Sequence, residues 1–267
     1  MRDRLAGLVG RSSGWAAAAA SLLSGAIVWE VAGRLFAIDF LPPLSSVLSR
    51  LVDLVINGNL IGQLGDSLLN LVLGVAISIV VGIGLGIAMG SYPRLYGALD
   101  PYVTALNSTP VLIFAPILFN FFGLSRWSIV ALIAISMSVY LTINTAAALR
   151  GVSRSLLDMG RSFNASDRQL FSFISLPAAL PFILATTRLA AGRGVKAMIN
   201  GEIFIGVVGL GGVVTRAGAQ FDATTVLAVM FVIAAVGFGL LGIVAALEAR
   251  FTSWLPAIDA RTPAGPR

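Results

Sequence analysis

Apolar residues run along this chain in long blocks bounded by single charges, and the blocks have the length of a bilayer crossing. A hydrocarbon core of about 30 Å needs about 20 helical residues at 1.5 Å each. Ser12–Trp29 is free of charge, and its apolar character continues to Phe36 across Glu30 and Arg34. Ser67–Pro93, Pro101–Ser125, Trp127–Leu149 and Ala223–Leu247 are each bounded by charged residues and contain none. Gln169–Ile205 is as apolar but carries Arg188, Arg193, Lys196 and Glu202. These blocks are apolar on all sides, as helices embedded in lipid must be. The pattern predicts an all-α integral membrane protein in one transmembrane domain, residues 1–267, with six spans at about 12–36, 67–93, 98–122, 127–149, 177–205 and 223–247.

The segments between the blocks have patterns of their own. Leu41-Pro42-Pro43 ends the first helix, and 44–56 then places Leu44, Val47, Leu48, Leu51, Leu54 and Val55 on one helical face. That is the pattern of an interfacial helix lying on the outer surface, its apolar side against membrane lipid. Val207–Gly218 contains Gly209, Gly211, Gly212 and Gly218 and reads as a re-entrant or capping turn. Residues 150–170 form the longest connection on the inner side, with room for two short helices broken near Asn164-Ala165-Ser166. The Thr262–Arg267 tail carries Pro and Gly and reads as disordered.

Composition agrees with this reading. Apolar residues make up 57% and charged residues 11%, against about 45–50% and 25% in soluble domains, and the mean hydropathy is +0.94. The net charge of +6 would suggest nucleic acid in a soluble protein, but here topology accounts for it. With the N-terminus inside, Arg2, Arg4, Arg11, Arg94, Arg150, Arg154, Arg161, Arg168, Arg250, Arg261 and Arg267 fall on the inner side, and only Arg50, Arg126 and Arg216 outside. This positive-inside bias puts both termini in the cytoplasm and removes the case for nucleic acid. Arg2–Arg11 followed by Ala16–Ala20 resembles the start of a signal peptide. The apolar run outlasts a signal h-region, so it reads as an uncleaved first span. The chain has no Cys and no His, which excludes disulfides, thiolate nucleophiles, Cys/His metal sites and imidazole catalysis. No catalytic residue and no metal site is expected.

Three spans carry features beyond hydrophobicity. Gly74, Ser78, Gly82, Gly86 and Gly90 recur every four residues and make a small ridge. Such a ridge packs closely on another helix, either of the same chain or of a second subunit. The third span holds Pro101, Pro110 and Pro116 with Asn107 and Asn120, so it is either a kinked packing helix or the wall of a water-accessible path. In the fifth span Arg193, Lys196 and Asn200 lie on one helical face, with Glu202 off it. An ionised side chain at the bilayer centre costs about 2.5–3.5 kcal/mol or more. The stripe therefore either lines a path suited to an anion or is neutralised from another helix, for example by Glu30, or snorkels to an interface. The expected path residues are Asn107, Pro110, Arg193, Lys196 and Asn200.

Lys196 is the only lysine and follows Val195, so the chain has no Walker-type nucleotide loop. Transport through it is gradient-driven, passive, or powered by a separate ATPase. The inner connection bears on this choice. Leu156, Leu157, Phe163, Leu170 and Phe171 place apolar groups on an otherwise polar cytoplasmic segment, a pattern suited to docking another protein.

The segment resembles the coupling signature of binding-protein-dependent ABC importer permeases: E-A-A, three residues, G, nine residues, I, one residue, L-P. Asp158, Met159 and Gly160 fall on E-A-A, Asn164 falls on G, and Ile174, Leu176 and Pro177 match. Met159, Gly160 and Asn164 depart from the pattern. Further similarity to the nitrate/sulfonate/taurine branch lies in Leu41-Pro42, Phe121-Phe122-Gly123, Leu176-Pro177-Ala178-Ala179-Leu180-Pro181, Arg188 followed by Glu202, and Gly209-Leu210-Gly211, over residues 35–255. Arg193 and Lys196 are untypical of the branch.

The resemblance implies the type I ABC importer permease fold in a bacterial inner membrane. It implies a non-enzymatic subunit that binds no cofactor, with ATP and Mg²⁺ on partner ATP-binding-cassette subunits. It implies a second permease subunit, here a second copy of the chain, and an extracytoplasmic substrate-binding protein. The expected ATPase contact comprises Leu157, Asp158, Gly160, Phe163, Asn164, Ala165, Arg168, Leu176 and Pro177. Arg188 and Glu202 are expected to hold the bundle through ion pairs or carbonyl contacts. The solute would be small and anionic. The alternative is an ion-gradient-driven secondary transporter or channel.

Overall fold

Lipid supplies no hydrogen bonds, so a chain this apolar must satisfy its backbone within helices. The computed structural model describes residues 2–36 and 40–251, and among them there are helices and turns but no strand. Eleven α-helices follow in order: α1 Arg2–Phe36, α2 Leu44–Ile56, α3 Leu60–Ser91, α4 Pro93–Ser108, α5 Ala115–Phe122, α6 Arg126–Arg150, α7 Arg154–Ser162, α8 Asp167–Leu170, α9 Leu176–Ile205, α10 Gly209–Ala219 and α11 Ala223–Phe251. Five stretches are long and apolar enough to cross a membrane, and a sixth counts if the bent pair α4 and α5 is one span. The tail at 262–267 lies outside the described residues.

The described residues divide into two units, one comprising residues up to 66 with 206–234, the other 67–205 with the residues from 235 on. In the first unit, α2 is pinned beside α1. The Trp29 indole N–H donates to Pro42 O at 3.1 Å, and Glu30 accepts from the Ser45 backbone N–H and hydroxyl, each at 2.9 Å, and from Arg34 Nε at 2.6 Å. The rings of Trp29 and Phe231 stack at 5.9 Å. Arg50 of α2 donates to Thr225 Oγ1 at 2.8 Å and lies 3.8 Å from Asp222. Burial works to raise the Asp222 carboxyl pKa, but hydrogen bonds from Thr225 and the charge of Arg50 outweigh it and hold the group below its ordinary value. The glycine-rich segment, expected as a turn, forms helix α10. The chain bends into it through Gly206 and Gly209, both at positive φ, with Val208 extended between them, while Gly211 and Gly212 lie within the helix.

In the second unit the small ridge of α3 packs on α6 of the same chain, and this answers the question of its partner. A side chain at Gly82 would meet Ser138 Cα and Leu141 Cβ at 2.8 Å, and one at Gly90 would meet Leu149 Cβ at 2.9 Å. The Ser78 hydroxyl donates to Gly74 O at 2.6 Å, and Thr142 Oγ1 reaches across to Gly82 O at 3.1 Å. The other side of α6 packs on α9, where Gly201 lies against Leu132 and Ile129. Met137, Leu141, Ile133 and Met198 are fully buried in this core.

The third span is not one continuous helix. α4 ends at Ser108, a 3-10 turn runs over Val111–Phe114, and α5 leaves at 98° to α4. Three prolines share this stretch, and they act differently. Pro101 sits inside α4 and Pro116 lies in the first turn of α5, whereas Pro110, with φ −58° and ψ 123°, departs from helix together with Thr109 before it, at φ −88° and ψ 128°, since a proline pushes the preceding residue out of the α region. A proline at a helix start forfeits nothing, because the first N–H groups have no acceptor there.

Candidate functional site: a coupling segment and a cationic face on one helix

The connection over residues 150–170 is ordered by its own side chains. The Ser153 hydroxyl caps α7 by accepting from Leu156 N, and Ser166 and Gln169 form a reciprocal capping box at α8. Between them the chain reverses at Asn164, whose φ of 55° is left-handed. Asn and Gly are the residues that occupy this region at least cost, so Asn164 meets the requirement of the position where the family signature has Gly. Gly160 is buried, and a side chain there would meet Ile174 Cδ1 and Leu170 Cδ2 at 2.6 Å. The small residue lets α7 fold back on the segment that enters α9.

Exposed on the outside of this fold are Asp158, paired with Arg161 at 2.9 Å, with Met159, Arg168 and Phe163. Phe163 is 81% exposed. Leu157, Ala165 and Leu176 are half-buried, and Pro177 is exposed. From α8 the chain enters α9 through a single π turn, Phe171–Ser175. Pro177 lacks an N–H, and its ring crowds the carbonyl four residues back, which widens the turn before it. Asp167–Ile205 is therefore one continuous helical element.

Along α9 two faces separate. The buried face carries Ala190, Ala191, Gly194, Val195, Ala197, Met198, Gly201 and Glu202. Glu202 is fully buried and accepts from Ser67 Oγ at 2.8 Å and Asn70 Nδ2 at 3.2 Å. It fastens α9 to α3 through hydroxyl and amide donors that the sequence pattern did not single out.

The opposite face exposes Arg188, Arg193 and Lys196, with Asn200 half-buried. None of these three cations has a carboxylate partner among the described residues. Arg188, expected to hold the bundle, lies exposed on this chain. It turns with Lys196 onto the exposed face, eight residues apart, and makes no contact of that kind. Glu30, a candidate counter-charge for the stripe, is engaged by Arg34 and Ser45.

Arg193 is the cation that the fold holds in place. Its Nη1 donates to Asn107 Oδ1 at 3.2 Å, and its guanidinium carbon lies 4.0 Å from the centre of the Tyr140 ring. Beside it, in the angle of the broken span, is a pocket of about 280 Å³ that includes Asn107, Pro110 and Arg193 in its lining. The structure thus brings together three of the five expected path residues. Lys196 and Asn200 share the helix face but do not line this pocket. Tyr140 and Ser136, on α6, were not legible as site residues, since each lies in an unbroken apolar run.

The described chain is thus a helical membrane subunit with a broken third span, an ordered reversal at Asn164 and a long helix that joins this reversal to a charged face. Comparison with known proteins gives the family. Residues 78–253 match the profile described as "Binding-protein-dependent transport system inner membrane component", and the chain belongs to that family. It is 32% identical over 232 residues to the taurine transport system permease protein TauC of Escherichia coli (strain K12), covering 85% of this chain and 84% of that protein. It is 29% identical over 229 residues to the putative aliphatic sulfonates transport permease protein SsuC of Bacillus subtilis (strain 168), covering 85% and 83%.

In fold it resembles a chain of the MetNI methionine ABC transporter in an inward-facing conformation, with TM-score 0.63 and 17% identity over 72% of this chain and 96% of that one. A chain of an amino acid ABC transporter gives TM-score 0.57 and 19% identity over 77% and 98%. The protein is a multi-pass inner-membrane permease subunit of an ABC importer with the type I fold, a non-enzymatic partner of an ATPase and a binding protein. The ion-gradient alternative has no support.

Proposed function

We propose that this permease conducts a small anionic solute of the sulfonate type along the exposed face of α9. One observation carries the reading: three basic side chains on one face of a membrane-spanning helix, with no acid of the described chain beside them. Facing hydrocarbon, each would cost about 2.5–3.5 kcal/mol on insertion scales. Facing a wet path, the same charges lower the barrier for an anion, because Coulomb attraction is strong where the dielectric constant is low. Taurine and aliphatic sulfonates, the solutes in the names of the two relatives, carry a sulfonate anion, in taurine together with an ammonium group.

A second copy of the chain covers this face and completes the path, with membrane lipid around the rest. ATP and Mg²⁺ are held by the partner ATPase, whose contact is the segment from Leu157 to Arg168 with Leu176 and Pro177. Both termini are cytoplasmic, so a reporter active only in the periplasm and fused after Arg261 stays silent. Closure of the ATPases pushes this segment, and the two copies rock to alternate access.

The test is uptake of radiolabelled taurine and ethanesulfonate by cells producing Lys196→Met or Arg193→Met. Uptake falls several-fold with protein level and ATPase co-purification intact. Wild-type uptake by both variants refutes the anion path.

A further inference from the structure

The pocket in the angle of the broken span is rich in donors and carries no acid. Asn107, Ser108, Thr109, Pro110, Ser136 and Arg193 supply its polar lining and its bend. Of the five N–H donors of Arg193, the one on Asn107 is engaged, and the others meet no acceptor among the described residues. The Asn107 amide N–H₂ and the Ser136 hydroxyl likewise have no partner among the described residues. Ser108 and Thr109 donate to Thr104 O and Ala105 O, which holds both hydroxyls against α4. The only charge in the lining is a cation, and its orientation is fixed from two sides by Asn107 and by the Tyr140 ring. A guanidinium held in this way loses less freedom on gaining a ligand than a mobile lysine does. The volume of about 280 Å³ lies at the lower limit of small-molecule pockets, so the occupant is compact.

We infer that this pocket is a binding station for an oxyanion within the permease itself, taking the sulfonate or carboxylate head of a small solute in transit. Arg193 is its charged ligand, Asn107 and Ser136 are its neutral donors, and Tyr140 is a positioning residue that holds the guanidinium. The inference deepens the anion-path reading and rests on it. It adds that the path has a discrete stop with its own selectivity, separate from the binding protein, and that Lys196 and Arg188 lie outside that stop. The station exists because the chain breaks at Pro110: a continuous helix would carry α5 straight on and fill the angle that α4 and α5 leave open.

The test uses the permease–ATPase complex in phosphatidylcholine nanodiscs, titrated calorimetrically with methanesulfonate, acetate and uncharged dimethyl sulfone. The two anions bind and the sulfone does not. Arg193→Gln weakens methanesulfonate binding about tenfold or more, as expected for loss of a charged hydrogen-bond donor, and Ser136→Ala weakens it by less. Should Arg193→Gln fail to assemble, Arg193→Lys and Asn107→Ala give the same reading, each with reduced affinity. Wild-type affinity in the Arg193 and Ser136 variants overturns the station. The path reading then still stands if Lys196→Met slows uptake, so the two failures are distinguishable. A wild-type pocket that ignores methanesulfonate and is occupied instead by phosphatidylglycerol added to the disc belongs to a lipid phosphate, which also overturns the station.

Discussion

Replacing Gly82 with Ala tests whether the ridge of α3 is an internal seam. The new Cβ would lie 2.8 Å from Ser138 Cα, Ser138 O and Leu141 Cβ, where ordinary contact begins at 3.4 Å. Two of these three atoms are backbone and cannot swing aside, so α3 and α6 must part by roughly half an ångström over the contact. Overpacking of this kind costs about 1–3 kcal/mol. Parting also stretches the hydrogen bond from Thr142 Oγ1 to Gly82 O, 3.1 Å long, and such bonds between membrane helices average about 0.6 kcal/mol. The expected loss is about 2–3 kcal/mol. At about 2–4 °C per kcal/mol for a chain of this size, the melting temperature falls by about 5–10 °C. Tryptophan fluorescence of the solubilised complex, followed through a thermal ramp with size exclusion of the survivors, measures it. Gly84→Ala is the control, since a side chain there meets nothing within 4 Å. If the Gly82 variant melts with the wild type and the Gly84 variant, the seam is not where the geometry puts it.

Asn164→Gly leaves stability unchanged or slightly raised, whereas Asn164→Val, branched at a φ of 55°, costs about 1–2 kcal/mol; thermal melting of the two variants checks the sign of each. Phe163→Asp puts a charge on the most exposed apolar group of the coupling segment, so the ATPase no longer co-purifies while insertion in the membrane stays normal. Glu202→Leu removes the shared acceptor of Ser67 and Asn70 and destabilises the bundle by about 2 kcal/mol or more, read as a lower melting temperature with Glu202→Gln intermediate.

Most of the helical plan could be read from the sequence, because a lipid-embedded helix announces itself by length and apolarity alone. The reversal at Asn164 was also legible, since few residue types accept a left-handed backbone. The break at Pro110 was not. Three prolines stood in one apolar run, and only tertiary contacts decide which of them leaves the helix. The partner of the Gly74–Gly90 ridge was equally hidden, because a small-residue ridge specifies closeness and not identity. Spacing placed Arg193, Lys196 and Asn200 on one face, but it could not show that Arg188 joins them rather than the core, since Arg188 stands with Leu189 at the edge of that face. Helix α10 was missed because its glycines read as punctuation, whereas only Gly209 bends its entry and Gly211, Gly212 and Gly218 lie inside the helix.

The π turn at Phe171–Ser175 sets an angular phase. A π turn holds one residue more than an α turn, and each residue in a helix advances the direction of its side chain by about 100°. Everything on α9 beyond the turn, including Arg193, Lys196 and Glu202, is therefore rotated by about 100° relative to where an uninterrupted α-helix from Ser166 would aim it. The widened turn works as a one-residue gear between the capping box and the charged face. Closing that turn to α without removing a residue would keep the length, hydropathy and composition of the span unchanged, yet would turn the cations off the exposed face and Glu202 off the buried one, whereas deleting one residue as the turn closes would leave them where they are. The facing of each residue on α9 thus depends on the count of residues in the turn that leads into the helix, and a chain can misplace this protein's path without losing any of the side chains that line it.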